Sequence, residues 1–204
     1  MAEKMDLKSN SRVLDIGFYK GYRTCFLAKE YGVNIIGIEP GETNIELLME
    51  NARMFDVMDQ VMGVRSGVPD TLLPTDCFDY VYTTTCLECI RGDNGAQAYL
   101  DALREIHRVL KKGGTLGLGE PMGLDGCVPE GTKSFVSLSD TKEAVRQAGF
   151  TIVDANYCED AQLWWDEYLR YDPGFLTEPE HEVAVDFRDA TERWLSFGYV
   201  IAVK

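Results

Sequence analysis

Two glycines stand four residues apart behind an aspartate in Asp15-Ile16-Gly17-Phe18-Tyr19-Lys20-Gly21, directly after the apolar pair Val13-Leu14. A glycine turn at the carboxyl end of a strand lets the backbone come close to a bound molecule. Glu39 closes a second apolar run 22 residues after Gly17, where a carboxylate can accept hydrogen bonds from ribose hydroxyls. The chemistry this spacing allows is the holding of a nucleotide-type ligand. Tyr19 occupies the middle position, where such turns usually carry a glycine and a left-handed backbone is costly for a large side chain. Its ring is expected to point away from the ligand while Gly17 and Phe18 still form the turn. A nicotinamide-dinucleotide site would need G-x-G-x-x-G, which glycines at 17 and 21 alone do not supply.

Other reactive groups cluster later in the chain. Cys86 and Cys89 form a C-x-x-C pair, and Cys127 and Cys158 follow two further predicted strands. Such a pair supplies two zinc ligands at suitable spacing, or thiols for a thiophilic substrate such as a metalloid. Equally, cysteine is a small residue often buried with no special task. Trp164, Trp165, Tyr168 and Tyr171 crowd one acidic stretch. On a helix Trp164, Tyr168 and Tyr171 share a face and Trp165 points elsewhere. These rings either cover the open end of a pocket as core or receive a flat or cationic acceptor, aided by Asp166 and Glu167. Neither histidine reads as a general base: His107 falls on a helix surface, and His181 lies among acids that keep it protonated.

The elements that must position these groups alternate in type. Apolar runs rich in Val and Ile predict strands at 12–16, 34–39, 60–65, 79–84, 114–120, 151–157 and 195–203. Between them, Ile45, Leu48, Met49 and Ala52 keep helical spacing, as do Leu103, Ile106 and Leu110 in a helix expected to run into Lys111-Lys112 and stop at Gly113. Thr141, Ala144, Val145 and Ala148 form another face, closed by Gly149. Strands alternating with helices predict a parallel sheet with crossovers. The rhythm breaks at about 158–192, an acidic and aromatic insertion expected to be a cap on a single domain, since so short a segment cannot bury a core of its own.

The chain has 204 residues, one domain's worth, and a net charge of -14. Thr151 to Glu192 holds twelve acidic residues against two arginines, a surface that repels phosphate backbones, so nucleic acid is not an expected partner. No stretch has the form of a signal peptide or membrane span, and six cysteines in such a chain read as reduced thiols. A cytoplasmic location without a membrane partner is the expectation.

Several blocks in fixed order resemble the class I S-adenosylmethionine-dependent methyltransferases. VLDIGFYKG resembles that family's first motif and IIGIEP its second strand with the ribose acid. LLPTDCFDYVYTTTCLECI is similar to the fourth strand and its lead-in, LREIHRVLKKGGTLGLGEP to the fourth helix and fifth strand, and VRQAGFTIV to the step into strand six. The resemblance implies a Rossmann-like α/β fold whose seven-stranded sheet is mostly parallel, with an antiparallel seventh strand between the fifth and sixth and helices on both faces. It implies S-adenosylmethionine as cofactor and a small-molecule acceptor, which the acidic aromatic stretch would suit if cationic or aromatic. Carried over by position, Asp15, Gly17, Phe18 and Gly21 would surround the methionine part and Glu39 the ribose. Pro40 and Ser66-Gly67-Val68 would flank the adenine, and the backbone at Thr83 or Thr84 would meet the cofactor amine. Ser66-Gly67 stands where the family often has an acid. Cys86, Cys89, Trp164, Trp165 and Tyr168 are candidates for the acceptor side, and no metal is implied. The family shares no single catalytic base. Two rivals stay open: a non-catalytic ligand-binding or regulatory protein on this fold, and a cysteine-bound metal or metalloid protein. About eleven residues precede the first strand, too few for a helical lid, so the insertion should do the covering.

Overall fold

In the computed structural model, which describes residues 1–171 and 187–204, seven strands make one sheet. They are β1 (Arg12–Ile16), β2 (Asn34–Glu39), β3 (Val61–Arg65), β4 (Phe78–Thr84), β5 (Leu110–Gly123), β6 (Thr151–Tyr157) and β7 (Leu195–Val203). The helices among the described residues are α1 (Ala2–Met5), α2 (Tyr22–Tyr31), α3 (Glu42–Phe55), α4 (Leu87–Val109), α5 (Leu138–Gln147), α6 (Ala161–Tyr171) and α7 (Phe187–Arg193). The spatial order is β3-β2-β1-β4-β5-β7-β6, parallel except that β7 runs against both β5 and β6. The Rossmann-like sheet expected from the sequence is therefore present.

Both faces of β1 are covered, which explains its unbroken apolar reading. Val13 and Leu14 are fully buried and point to opposite sides. Val13 packs with residues of α1, α2 and α3, including Met5, Leu27 and Leu48. Leu14 packs with residues of α4 and α5, including Leu103, Ile106 and Val145. On α3 the buried stripe of Leu48 and Ala52 faces the sheet, where Gly37 and Gly63 leave the room it needs. The chain leaves β1 towards β2 and β3, then returns to place β4 on the other side of β1. That reversal opens a crevice beyond the carboxyl ends of β1 and β4, the place where open α/β sheets bind ligands.

Two expectations need correction. Helix α4 ends at Val109 rather than Gly113, because Leu110 already sits opposite Phe78 in the sheet and Lys111 Nζ bonds Asp79 Oδ1 at 2.7 Å. Strand β5 also runs on to Gly123, since β7 pairs with it from Thr115 to Gly123. The long α4 is broken at Gly95, whose φ of 86° and ψ of 176° interrupt the helix. Of the expected cap, α6 and α7 are described. They meet through Leu169, Ala190 and Trp194, which are buried with Leu195 of β7. Residues 172–186, with His181, lie outside the described residues.

One side chain of α3 reaches the glycine turn. Asn51, buried, donates from Nδ2 to the Lys20 carbonyl at 2.6 Å. Asn51→Ala should lower unfolding stability by about 1 kcal/mol through the lost hydrogen bond. Urea denaturation should show this as a lower midpoint at unchanged slope.

Candidate functional site

The turn after β1 is built by three alternate left-handed residues: Gly17 (φ 68°), Tyr19 (φ 53°) and Gly21 (φ 78°). The Gly17 amide donates to the Ile38 carbonyl at 3.0 Å, and the Gly21 amide to the Phe18 carbonyl at 2.9 Å. At Gly17 the lack of a side chain is required twice over, because a Cβ would also lie 2.4 Å from Cys86 Sγ. Tyr19 accepts the left-handed conformation at a cost of about 1–2 kcal/mol. Its ring is 62% exposed, with the Lys20 ammonium 5.1 Å from its centroid, so it points out of the turn as expected. Its amide donates to Glu39 Oε2 at 3.3 Å. The glycine turn and the acid at the end of β2 thus meet directly.

Two residues expected to line the ligand have buried side chains. The Phe18 ring is buried over Gly37, where a Cβ would lie 2.6 Å from the ring, leaving only its backbone in the turn. Asp15 is fully buried beneath the turn. It accepts a hydrogen bond from Thr24 Oγ1 at 2.7 Å and pairs with Arg23 Nη2 at 3.6 Å. Burial pushes its carboxyl up, and the Arg23 guanidinium and Thr24 hydroxyl pull it back.

Around this turn, Thr83 is buried and donates from Oγ1 to the Ile16 carbonyl at 3.2 Å, while Thr84 Oγ1 accepts from Arg23 Nη1. Pro40 is exposed, its carbonyl bound by Arg65 Nε at 3.2 Å. Ser66 closes the next turn by donating to the Thr71 carbonyl at 2.8 Å, and Val68 packs on the core. Gly67 faces open space, with nothing within 4 Å of the position a Cβ would take.

The sequence reading missed a polar cluster at the start of α4 and the end of β5. Glu120 accepts from the Glu88 amide (3.0 Å) through one oxygen and from the Tyr99 hydroxyl (3.0 Å) through the other. The carboxylate thus satisfies an orphan donor in the first turn of α4. The Arg91 guanidinium lies 3.9 Å from the Tyr99 ring centroid. All four side chains are buried, and Glu88 Oε2, Arg91 Nε and Arg91 Nη2 have no hydrogen-bond partner. Burial pushes both carboxyls up, Glu120 to about 7, and Glu88 is raised further by its neighbour. The available signal was Glu120 itself, an acid at the carboxyl end of a predicted strand.

The four cysteines do not form one group. Cys86 caps α4 against Gly17, Cys89 and Cys127 are exposed, and Cys158 packs on the opposite face of the sheet with the cluster of Met5 and Tyr199. Burial and the neighbouring Glu88 push the Cys86 thiol up, away from the thiolate that metals bind. Among the described residues no three His, Cys, Asp or Glu come together to hold a metal. In α6 Trp164 and Tyr168 are both exposed while Trp165 turns towards the core, as the helical spacing predicts. Trp165 stacks edge-on with Tyr168 at 6.2 Å and packs towards Leu169 and Trp194, whereas half-exposed Trp164 lies against Phe197 at 6.2 Å. No described helix is long and apolar enough to cross a membrane.

Residues 14–118 match the methyltransferase domain family. The 27-O-demethylrifamycin SV methyltransferase of Amycolatopsis mediterranei is 27% identical over 98% of this chain and 79% of its own length. The sterol 24-C-methyltransferase of Schizosaccharomyces pombe is 25% identical over 78% of this chain, which spans 45% of that protein. Among solved structures, the cyclase SpnF superposes with a TM-score of 0.81 at 21% identity, covering 100% of this chain and 78% of its own. At that identity the likeness is one of fold.

The buried carboxyl pair has a pH signature. A carboxyl whose folded-state value is raised stabilises fully below the unfolded glutamate value and loses that contribution as pH rises through the folded value. For Glu120 the window runs from 4.5 to about 7. The stability of the wild type relative to Glu120→Gln should therefore be greater at about pH 5 than at about pH 8, by roughly 1–3 kcal/mol. Denaturant titration at the two values measures it, and a gap independent of pH would refute the buried pair.

Proposed function

The chain belongs to the methyltransferase domain family, with S-adenosylmethionine as its cofactor, and from that premise we propose that it methylates a small-molecule acceptor at the carboxyl edge of β1, β2, β4 and β5. The observation that carries this reading is the 3.3 Å bond from the Tyr19 amide to Glu39, flanked by left-handed Gly17 and Gly21. It joins the two parts a nucleoside ligand needs: a backbone turn without side chains and an acid for its ribose.

The residues present fit the cofactor. Gly17 has no side chain between the turn and Cys86, Gly67 opens on free space, and Asp15 Oδ1 and Arg23 Nε are buried polar atoms without a hydrogen-bond partner. In this reading the backbone of Gly17 to Gly21, resting on buried Asp15, holds the methionine part, and Glu39 takes the ribose hydroxyls. Pro40 and Ser66-Gly67-Val68 flank the adenine, and the Thr83 or Thr84 backbone accepts from the amine. Bound there, the cofactor supplies a methyl group on a sulfonium sulfur, which is left as a neutral thioether after transfer.

What the protein adds is placement and charge. Glu39 stands at the accessible end of β2 beside the turn, where an acid favours a cationic cofactor. The acceptor lies beyond β4 and β5, next to Cys86, Cys89 and the start of α4, and its proton passes towards the Glu88–Glu120 pair. Trp164, Trp165 and Tyr168 of the cap at about 158–192 cover it. The cap belongs to the single domain, and α6 and α7 anchor it on β7. The Amycolatopsis relative, named for a demethylrifamycin acceptor, supports the small-molecule class. The buried or half-buried state of four of the six cysteines, all of them free, suits a cytoplasmic enzyme.

Isothermal titration with S-adenosylmethionine and S-adenosylhomocysteine tests the cofactor site. Both should bind, and Glu39→Ala should weaken each about 10–100-fold by removing a charged acceptor of two hydroxyl donors. Absence of heat and of thermal shift with both ligands would sink the enzyme reading. A screen of amines, hydroxyls and thiols for S-adenosylhomocysteine release should then identify the acceptor.

A further inference from the structure

We propose that Arg23, which lies outside every motif that marks the family in this chain, binds the carboxylate at the methionine end of the cofactor, with Asp15 as the positioning residue that holds it there. The inference rests on the cofactor reading above. That end of the cofactor carries an ammonium and a carboxylate on one carbon, so its site needs an acceptor and a cation close together. The acids at this edge, Asp15, Glu39, Glu88 and Glu120, supply no cation for a carboxylate.

Three arginine or lysine side chains lie near. Lys20 is turned outward over the Tyr19 ring. Arg91 is buried against the Tyr99 ring and Glu120. Arg23 alone of the three spans the crevice between β1 and β4. It starts in the first turn of α2, crosses the Tyr82 ring with its guanidinium 5.3 Å from the centroid, and donates from Nη1 to Thr84 at the end of β4.

Its surroundings hold the fork in place without using all of it. Nη2 lies 3.6 Å from Asp15 Oδ1, too long for a good hydrogen bond, and neither that oxygen nor the buried Arg23 Nε has a hydrogen-bond partner. A guanidinium offers five donors in a fixed plane suited to a carboxylate. The side chain is 32% exposed while Asp15 is fully buried. The pair therefore presents its cationic side outward and keeps its counter-charge beneath.

A purely structural ion pair would neutralise Asp15 and be indifferent to the ligand's carboxylate. The two roles separate when S-adenosylmethionine is compared with its decarboxylated form, which keeps the sulfonium, amine and adenosine. Calorimetry on the wild type should show a preference for S-adenosylmethionine of about 10–100-fold, the size of a charge-assisted contact. Arg23→Met should bind both ligands alike, near the wild-type affinity for the decarboxylated form. Arg23→Lys, which keeps the charge and loses the fork, should retain a smaller preference, with circular dichroism melting confirming that both variants fold. An undiminished preference in folded Arg23→Met, or an equal loss for the two ligands, would overturn the role of Arg23 while leaving the cofactor reading intact. Failure of the wild type to bind either ligand would overturn both.

Discussion

A carboxylate with no exposure to water stands one residue before the end of β1, and much of the edge above it follows from that constraint. Asp15 can remain charged only if other groups replace its hydration. The Thr24 hydroxyl does so at one oxygen and the Arg23 guanidinium offsets the charge from 3.6 Å, and both belong to the first turn of α2. The demand of one buried charge thus fixes where α2 begins relative to β1, and hence how the intervening turn must fold. Arg23 carries the tie onward to Thr84, so the ends of β1 and β4 are joined by side chains as well as by the ladder between them.

Each of the other acids at this edge is used differently. Glu39 reaches across to the Tyr19 amide and stays accessible. Glu120 is buried and spends both oxygens holding α4 through the Glu88 amide and Tyr99. The start of α4 in turn presses Cys86 onto Gly17. The glycine turn is consequently bounded from three sides, by Asp15 beneath it, Glu39 beside it and Cys86 against its first residue.

Much of this was legible in the sequence because burial on both faces leaves a simple record. Val13-Leu14, Ile35-Ile36 and Leu116 to Leu118 read as strands since apolar residues were needed on each side of the sheet. Glu39 was legible because a parallel strand puts its last residue at a known place relative to Gly17. Arg23 and Glu120 were not, since their roles depend on how far a long side chain reaches, which periodicity does not encode. The boundary at Leu110 was misplaced for a related reason: its apolar side chain suits a helix face, and only the pairing with Phe78 assigns it to the sheet. Phe18 shows a similar limit, since position in a motif fixes a backbone whereas the space over Gly37 decides where a ring goes.

Tyr19 shows what a side chain does in a turn otherwise made for glycine. A glycine there would wander over left- and right-handed conformations in the unfolded chain and lose that freedom on folding, a loss the tyrosine largely avoids. Once folded, the tyrosine is held by its own amide bond to Glu39, with few other conformations open to it. The turn therefore has less disorder to surrender when a ligand arrives than a triple-glycine version would have. The strain borne by the left-handed tyrosine is met within the folding free energy of the domain, so that recognition begins from a loop with little freedom left to lose.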